Sequence, residues 1–327
     1  MERELALEFA RVTEAAALAA ARWVGLGDKE AADDAAVSAM RVMFDSVMID
    51  GLVVIGEGEM DEAPMLYIGE KVGCAQTPQV DIAVDPVEGT TNVAYGLTNS
   101  IAVLASAPRG TLLHAPDMYM DKLAVGPACK GYVSLDATVE DNIRAVANRL
   151  NKAINEVTAV ILDRPRHAEI INRIRAMGAR IKLISDGDVS PCVATAYPDS
   201  GVDIILGIGG APEGVISAVA MKCLGGDFQA RLVPENQTEI DRCHAMGIDD
   251  LNKVFTIDEL VKSDDVIFSA TGITDSFMLT GVRYSMGKAI TQTLVMRSRS
   301  GTVRFIEASH RLDKKPFFTD PRMQGKM

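Results

Sequence analysis

Two stretches of this chain end an apolar run in carboxylates. Residues 80–91 read VDIAVDPVEGTT, which sets Asp85 and Glu88 just ahead of Gly89, Thr90 and Thr91. Residues 52–62 read LVVIGEGEMDE, which sets Glu57, Glu59, Asp61 and Glu62 after a second apolar run, with Gly56 and Gly58 allowing a sharp bend. Carboxylate oxygens suit hard divalent cations such as Mg²⁺. The amides and hydroxyls of a Gly-Thr-Thr turn suit an anion the size of phosphate. Acids beside a site for a further negative charge repel, and one or two cations would hold all of them together. D-P and E-G are also ordinary turn dipeptides, so the first stretch alone reads equally as a strand and a turn. The second acidic turn shifts the balance, because its nearest basic residue downstream is Lys71.

Other candidates stand further from these turns. GIGGAPEG at 207–214 lacks the spacing of a dinucleotide loop and has no Lys-Ser or Lys-Thr after it. It reads better as a strand end whose small residues, Gly210 among them, let a substrate approach, with Pro212 in a first helical turn. Glu213 then points back to the cations or complements a helix dipole. Arg164 and Arg166 flank Pro165, and two guanidinium forks on one rigid turn suit phosphate oxygens; a solvated charge run is the competing reading. Asp33 and Asp34 fall in the first turn of a helix, where the dipole alone would favour them. Lys29 sits just ahead and could neutralise phosphate.

The elements that must position these groups follow from periodicity. Leu5, Phe9, Val12, Ala16, Ala19 and Trp23 recur as one face of a helix over residues 2–24, packed or in contact with a second subunit. A second helix over 30–48 buries Ala36, Met40, Met43 and Val47. The apolar run before Asp85 is a buried strand broken at Asp85 and Pro86. From residue 157, strands beginning near 157, 180 and 203 alternate with helices near 167–177, 188–196 and 212–224, the order of an α/β half with parallel neighbours. Residues 1–150 are expected to form an N-terminal α/β region with most of the metal ligands. Residues 151–327 are expected to form a C-terminal α/β region with the substrate-binding groups and a polar tail.

Composition narrows the class. The 327 residues carry 33 basic and 45 acidic side chains, a net charge of −12, which argues against nucleic-acid or anionic-membrane partners. The apolar N-terminal stretch is too short to span a bilayer. Five cysteines without a C-x-x-C pair suggest neither a disulfide framework nor a zinc site, and a reducing cytosol is the expected location. Four scattered histidines leave carboxylate oxygen as the main ligand type, favouring Mg²⁺ or Mn²⁺.

GDKEAAD at 27–33, VIGEGEMDEAPMLYIGEKVG at 54–73 and DIAVDPVEGTTNVAYG at 81–96 resemble the class II fructose-1,6-bisphosphatases. APDMYMDKL at 115–123, DRPRH at 163–167, SDGDV at 185–189 and GIGGAPEGVISA at 207–218 carry the likeness through most of the chain. The wider group is the Mg²⁺-dependent, lithium-sensitive sugar phosphatases. The resemblance implies a layered α/β/α/β/α fold like that of the inositol monophosphatases, and a homo-oligomer. It assigns Asp33, Glu57, Asp85, Glu88 and Glu213 to two or more Mg²⁺ or Mn²⁺ ions. Substrate would meet Glu88, Gly89, Thr90, Tyr119, Arg164, Pro165, Arg166, Asp186, Gly187, Asp188 and Gly210. Asp186 and Asp188 could accept sugar hydroxyls, and each could equally cap the helix near 188.

The implied reaction is in-line hydrolysis of the 1-phosphate of fructose-1,6-bisphosphate, as in gluconeogenesis or the Calvin cycle. Thr90 would orient the attacking water, with Glu57 as first candidate for the carboxylate that takes its proton, Glu59 and Asp61 standing behind it, and Lys29 at the phosphate. The segments NVAYG and CLGGDFQ are compatible with an enzyme that also cleaves sedoheptulose-1,7-bisphosphate. The same residues could also serve an inositol monophosphatase-like enzyme or a non-catalytic sugar-phosphate sensor.

Overall fold

A computed structural model describes residue 1, residues 4–58 and residues 64–314. Helices α1 (Leu5–Ala20) and α2 (Lys29–Phe44) lead into strands β1 (Asp50–Ile55), β2 (Lys71–Val72) and β3 (Gln79–Glu88), helix α3 (Thr90–Tyr95) and strand β4 (Ile101–Pro108). The middle of the chain runs β5 (Tyr119–Val125), α4 (Val139–Leu150), β6 (Thr158–Leu162), α5 (Ala168–Ala176), β7 (Arg180–Ile184) and α6 (Val189–Ala194). It continues with β8 (Ile204–Gly210), α7 (Ala211–Leu224), β9 (Asp227–Val233), α8 (Gln237–Ala245), β10 (Phe255–Thr256) and α9 (Ile257–Leu260). Strands β11 (Ile267–Gly272), β12 (Arg283–Ser285), β13 (Lys288–Arg297) and β14 (Thr302–Arg311) follow. The polar tail lies outside the described residues.

The architecture is mixed α/β, as an α/β phosphatase fold requires, and it divides into two compact units. One comprises Met1–Leu112 and the chain from Ser263 onward; the other is Leu113–Lys262. This division does not follow the expected boundary at residue 150. The reason is long-range pairing: β11 returns to lie antiparallel to β4, with Ile267 opposite Ser106 and Gly272 opposite Ile101. Local patterning carries no signal for a strand that pairs so far along the chain.

In the first unit an eight-stranded sheet runs β12-β13-β11-β4-β3-β1-β2, with β14 on β13. Leu5, Phe9, Val12, Ala16 and Ala20 of α1 and Ala32, Ala36, Met40 and Phe44 of α2 share a buried core with Val53, Ile82, Val84 and Leu104 of the sheet. Ala15 and Ala19 meet Ala35 and Ala39, small side chains that let the two helices approach closely. Helix α1 is thus packed within its own chain, as its periodicity predicts. Asp28 caps α2 by accepting the Ala31 amide at 3.0 Å. That helix ends at Phe44 and not at residue 48, because the Ser46 hydroxyl and amide both donate to the Met43 carbonyl and tighten the turn. Strand β3 does not break at Pro86. It runs on to Glu88, and a bulge absorbs the proline: Asp85 faces Val103 and Glu88 faces Ile101, one extra residue on β3.

In the second unit a six-stranded sheet runs β10-β9-β5-β8-β6-β7. Strand β6 is parallel to both β7 and β8, as the alternating pattern predicts. Antiparallel β5, β9 and β10 complete it. Leu123, Ile143, Val157, Ile161, Ile174 and Leu206 form its core with α4 and α5 on one face. Helix α7 is apolar on most sides and deeply buried.

Candidate active site

Within the first unit, the acidic turn after β1 depends on Gly56, where an added Cβ would stand 2.0 Å from the Leu66 carbonyl oxygen. That close crossing is reinforced by the Glu57 amide, which donates to the same carbonyl at 3.1 Å. Glu57 is thereby held beside Asp33 of α2, to which its side chain is hydrogen-bonded. Burial, then the nearby charges of Asp33 and Asp85, push the Glu57 carboxyl up to about 9. Burial also raises Asp33, against the lowering effect of its bond to Glu57. Asp34 is exposed. Glu59, Asp61 and Glu62 lie outside the described residues.

The end of β3 supplies the second part. The Asp85 Oδ1 accepts the Val87 amide at 3.0 Å, and the Ser100 hydroxyl donates to the Glu88 carbonyl at 2.9 Å. Gly89 has φ 89°, and a Cβ there would press on the Asn99 carbonyl at 3.0 Å and the Asn92 amide at 3.1 Å. Only glycine meets both conditions without strain. Thr90 opens α3 directly after it, and Lys29 Nζ donates to Thr91 Oγ1 at 2.9 Å. Lys29 therefore stands at the first turn of α3, through Thr91. Among the described residues no three His, Cys, Asp or Glu side chains form a ready-made cation cage. The donor chemistry of Asp33, Glu57 and Asp85 nevertheless fits a hard cation: all are carboxylates, and the charges of Asp33 and Asp85 both push Glu57 up.

Within the second unit, Tyr119, Arg164, Arg166, Asp186, Gly210 and Glu213 line one cavity of about 430 Å³. The Arg166 guanidinium lies over the Tyr119 ring at 4.4 Å and donates from Nη2 and Nε to the Ile208 carbonyl at 2.9 and 3.2 Å. Arg164 pairs with Asp186 at 3.9 Å. Pro165 begins a single 3₁₀ turn, Pro165–His167, after β6, with Arg164 just before it and Arg166 within it. Gly187 takes φ 78° and turns the chain into α6.

Asp188 has a different setting. Its Oδ2 accepts Lys122 Nζ at 2.8 Å, with both side chains buried, and it makes no cap bond to α6. Glu213 is half-buried at the cavity wall, and its carboxyl is raised first by burial and then held down by the Lys122 charge. Its Oε2 is shut off from solvent and has no hydrogen-bond partner among the described residues, which suits an electrophile. A Cβ at Gly209 would stand 2.2 Å from Asp188 Oδ2, and one at Gly210 would stand 1.9 Å from Glu213 Oε2. Small residues at this strand end make room for these carboxylates.

Residues 3–310 match the family described as bacterial fructose-1,6-bisphosphatase, glpX-encoded. The chain is 50% identical over 337 aligned residues to fructose-1,6-bisphosphatase 1 class 2 of Escherichia coli K12, covering 99% of each. It is 48% identical to fructose-1,6-bisphosphatase class 2 of Haemophilus influenzae, covering 96% of this chain and 98% of that protein. The chain belongs to the glpX-encoded fructose-1,6-bisphosphatase family. For a bisphosphatase of this family, two groups in the second unit have no signature in the sequence. Lys122 lies inside an apolar strand and gives no local sign that it is an ion-pair partner. His167 follows the paired arginines and is 2% exposed; its neighbours on β8 are found only in three dimensions.

Proposed function

We propose that this chain hydrolyses the 1-phosphate of fructose-1,6-bisphosphate, yielding fructose 6-phosphate and phosphate, with Mg²⁺ or Mn²⁺ held by Asp33, Glu57, Asp85, Glu88 and Glu213. The observation that carries the reading is the pairing of the Asp33 and Glu57 carboxyls, both raised by burial and Glu57 raised further by the charges of Asp33 and Asp85, an acidic cluster suited to a cation. When bound, such an ion lowers the pKa of a water and stabilises the leaving alkoxide. Thr90 would orient the attacking water through its hydroxyl, and a carboxylate of the Glu57 turn would take the proton, Asp61 being the second candidate acceptor. The Gly89 and Thr90 amides face developing charge on the phosphoryl group, and Lys29 adds a positive charge beside them. Arg164 and Arg166 grip the phosphate that is not cleaved, while Tyr119, Asp186, Gly187 and Gly210 shape the sugar's seat. Asp188 acts there through Lys122 and Glu213.

None of the five cysteines is in a disulfide and, among the described residues, no helix is long and apolar enough to cross a membrane. A cytosolic location is part of the same reading, and the net charge of −12 speaks against polyanionic partners. The test is phosphate release from fructose-1,6-bisphosphate by purified protein with Mg²⁺ or Mn²⁺, set against the same protein stripped by chelator. Release at the same rate after exhaustive chelation, or no release with either metal, overturns the reading.

A further inference from the structure

His167 and Arg166 are consecutive, and together they hold both polar groups of one residue on a different strand. The His167 ring accepts the Ile208 amide at Nε2, 2.8 Å away, while Arg166 donates to the Ile208 carbonyl at 2.9 Å. Because Nε2 accepts, the ring proton resides on Nδ1, which donates to the Leu162 carbonyl at 2.7 Å. The imidazole therefore ties the end of β6 to the end of β8, across the turn that carries Arg166. Room for it exists because residue 207 is glycine: its φ is +125°, and a Cβ would stand 2.9 Å from Nε2. Burial lowers the pKa of this histidine and keeps it neutral, the only state in which one nitrogen can accept while the other donates.

We infer that His167 is a positioning residue for substrate recognition: by fixing the Arg164–Arg166 turn against Ile208 it sets where Arg166 presents its remaining N–H groups to the uncleaved phosphate. This deepens the phosphatase reading and rests on it. Two of the N–H groups of Arg166 are already committed to Ile208, so its orientation is set by the distance between turn and strand, which His167 fixes. Stacking on Tyr119 fixes the plane but leaves sliding free. A buried tie of this kind holds a binding group within a fraction of an ångström, and loosening it weakens the grip without touching the reacting atoms.

The test uses fructose 6-phosphate, which carries only the uncleaved phosphate, as a calorimetric probe of the metal-free protein, alongside turnover of fructose-1,6-bisphosphate. His167→Phe should weaken fructose 6-phosphate binding about tenfold and raise KM for the bisphosphate by more than it lowers kcat. His167→Gln, which keeps an acceptor for the Ile208 amide, should recover part of the affinity. In an Arg166→Ala background His167→Phe should add nothing further, since its effect passes through that guanidinium. Unchanged fructose 6-phosphate affinity in both His167 variants, or additive losses in the double variant, overturns the inference. A wild type that binds fructose 6-phosphate but releases no phosphate overturns the enzymatic reading and leaves the inference standing. A wild type that neither binds nor hydrolyses overturns both.

Discussion

The Asp33 and Glu57 carboxyls face one another, and burial raises both, with the charges of Asp33 and Asp85 helping to push Glu57 up to about 9. Folded-state values raised above unfolded ones mean that the folded chain keeps protons the unfolded chain has released. The stability this gives is full below the ordinary value of 4.5 and is lost as pH rises through about 9. Metal-free protein should accordingly melt at a lower temperature near pH 8.5 than near pH 6, by roughly several degrees. Glu57→Gln should flatten that dependence, and added Mg²⁺ should raise the melting temperature most at the alkaline end, where no proton need be displaced. A pH-independent difference between wild type and Glu57→Gln in calorimetry would rule out the raised Glu57 carboxyl.

The Lys122–Asp188 pair should be costly to break. Removing one member of a buried ion pair leaves the other uncompensated, at a cost of about 3–5 kcal/mol. Lys122→Met leaves Asp188 and Glu213 facing each other without the intervening cation. Urea unfolding should show that loss, and Lys122→Met combined with Asp188→Asn should be more stable than Lys122→Met alone. If the double variant were less stable than the single, Lys122 would be holding the fold by packing alone.

Gly210 offers a way to move Glu213 while leaving its chemistry intact. A methyl at this position would stand 1.9 Å from Oε2, the far end of a flexible side chain, so the carboxylate is displaced before the backbone is. Gly210→Ala should fold, with a melting temperature within a few degrees of wild type, and should need about tenfold more Mg²⁺ for half-maximal turnover. Wild-type Mg²⁺ dependence in this variant would detach Glu213 from the metal.

How much of the molecule is legible in its sequence depends on whether a group's partners are local. The α1 stripe and the β6-α5-β7 alternation are short-range periodicities, and both appear where the pattern puts them. Glu57 stands out because it belongs to a run of acids with no nearby base, and Asp85 and Glu88 because they end an apolar run beside Gly89, Thr90 and Thr91. Lys122 does not, since its spacing in YMDKLAV is that of any strand residue and its meaning comes from Asp188, brought beside it by β8 and α6. The bulge at Pro86 reads as a strand end because proline removes one ladder bond, yet the partner strand tolerates the gap. The return of β11 to β4 likewise has no local signature, so the boundary expected at residue 150 follows chain order where the molecule follows pairing.

The two adjacent hydroxyls after Gly89 allow the most discriminating substitution. Neighbouring residues in a helix point about 100° apart, and Thr91 is already engaged by Lys29 at 2.9 Å. Thr90, directly behind the left-handed Gly89, is the one the proposed reaction assigns to the water. Thr90→Ala should lower single-turnover hydrolysis by about 10²–10⁴-fold, the usual worth of a positioned proton-transfer group, whereas Thr90→Ser should keep part of the rate. Substrate affinity should survive in both. Thr91→Val frees Lys29 and should act mainly on KM, because it removes an anchor for a charge near phosphate and leaves the water-orienting hydroxyl in place. Near-wild-type chemistry in Thr90→Ala, or a rate lost only in Thr91→Val, would exchange the roles of the two threonines and make the Lys29–Thr91 contact the catalytic one.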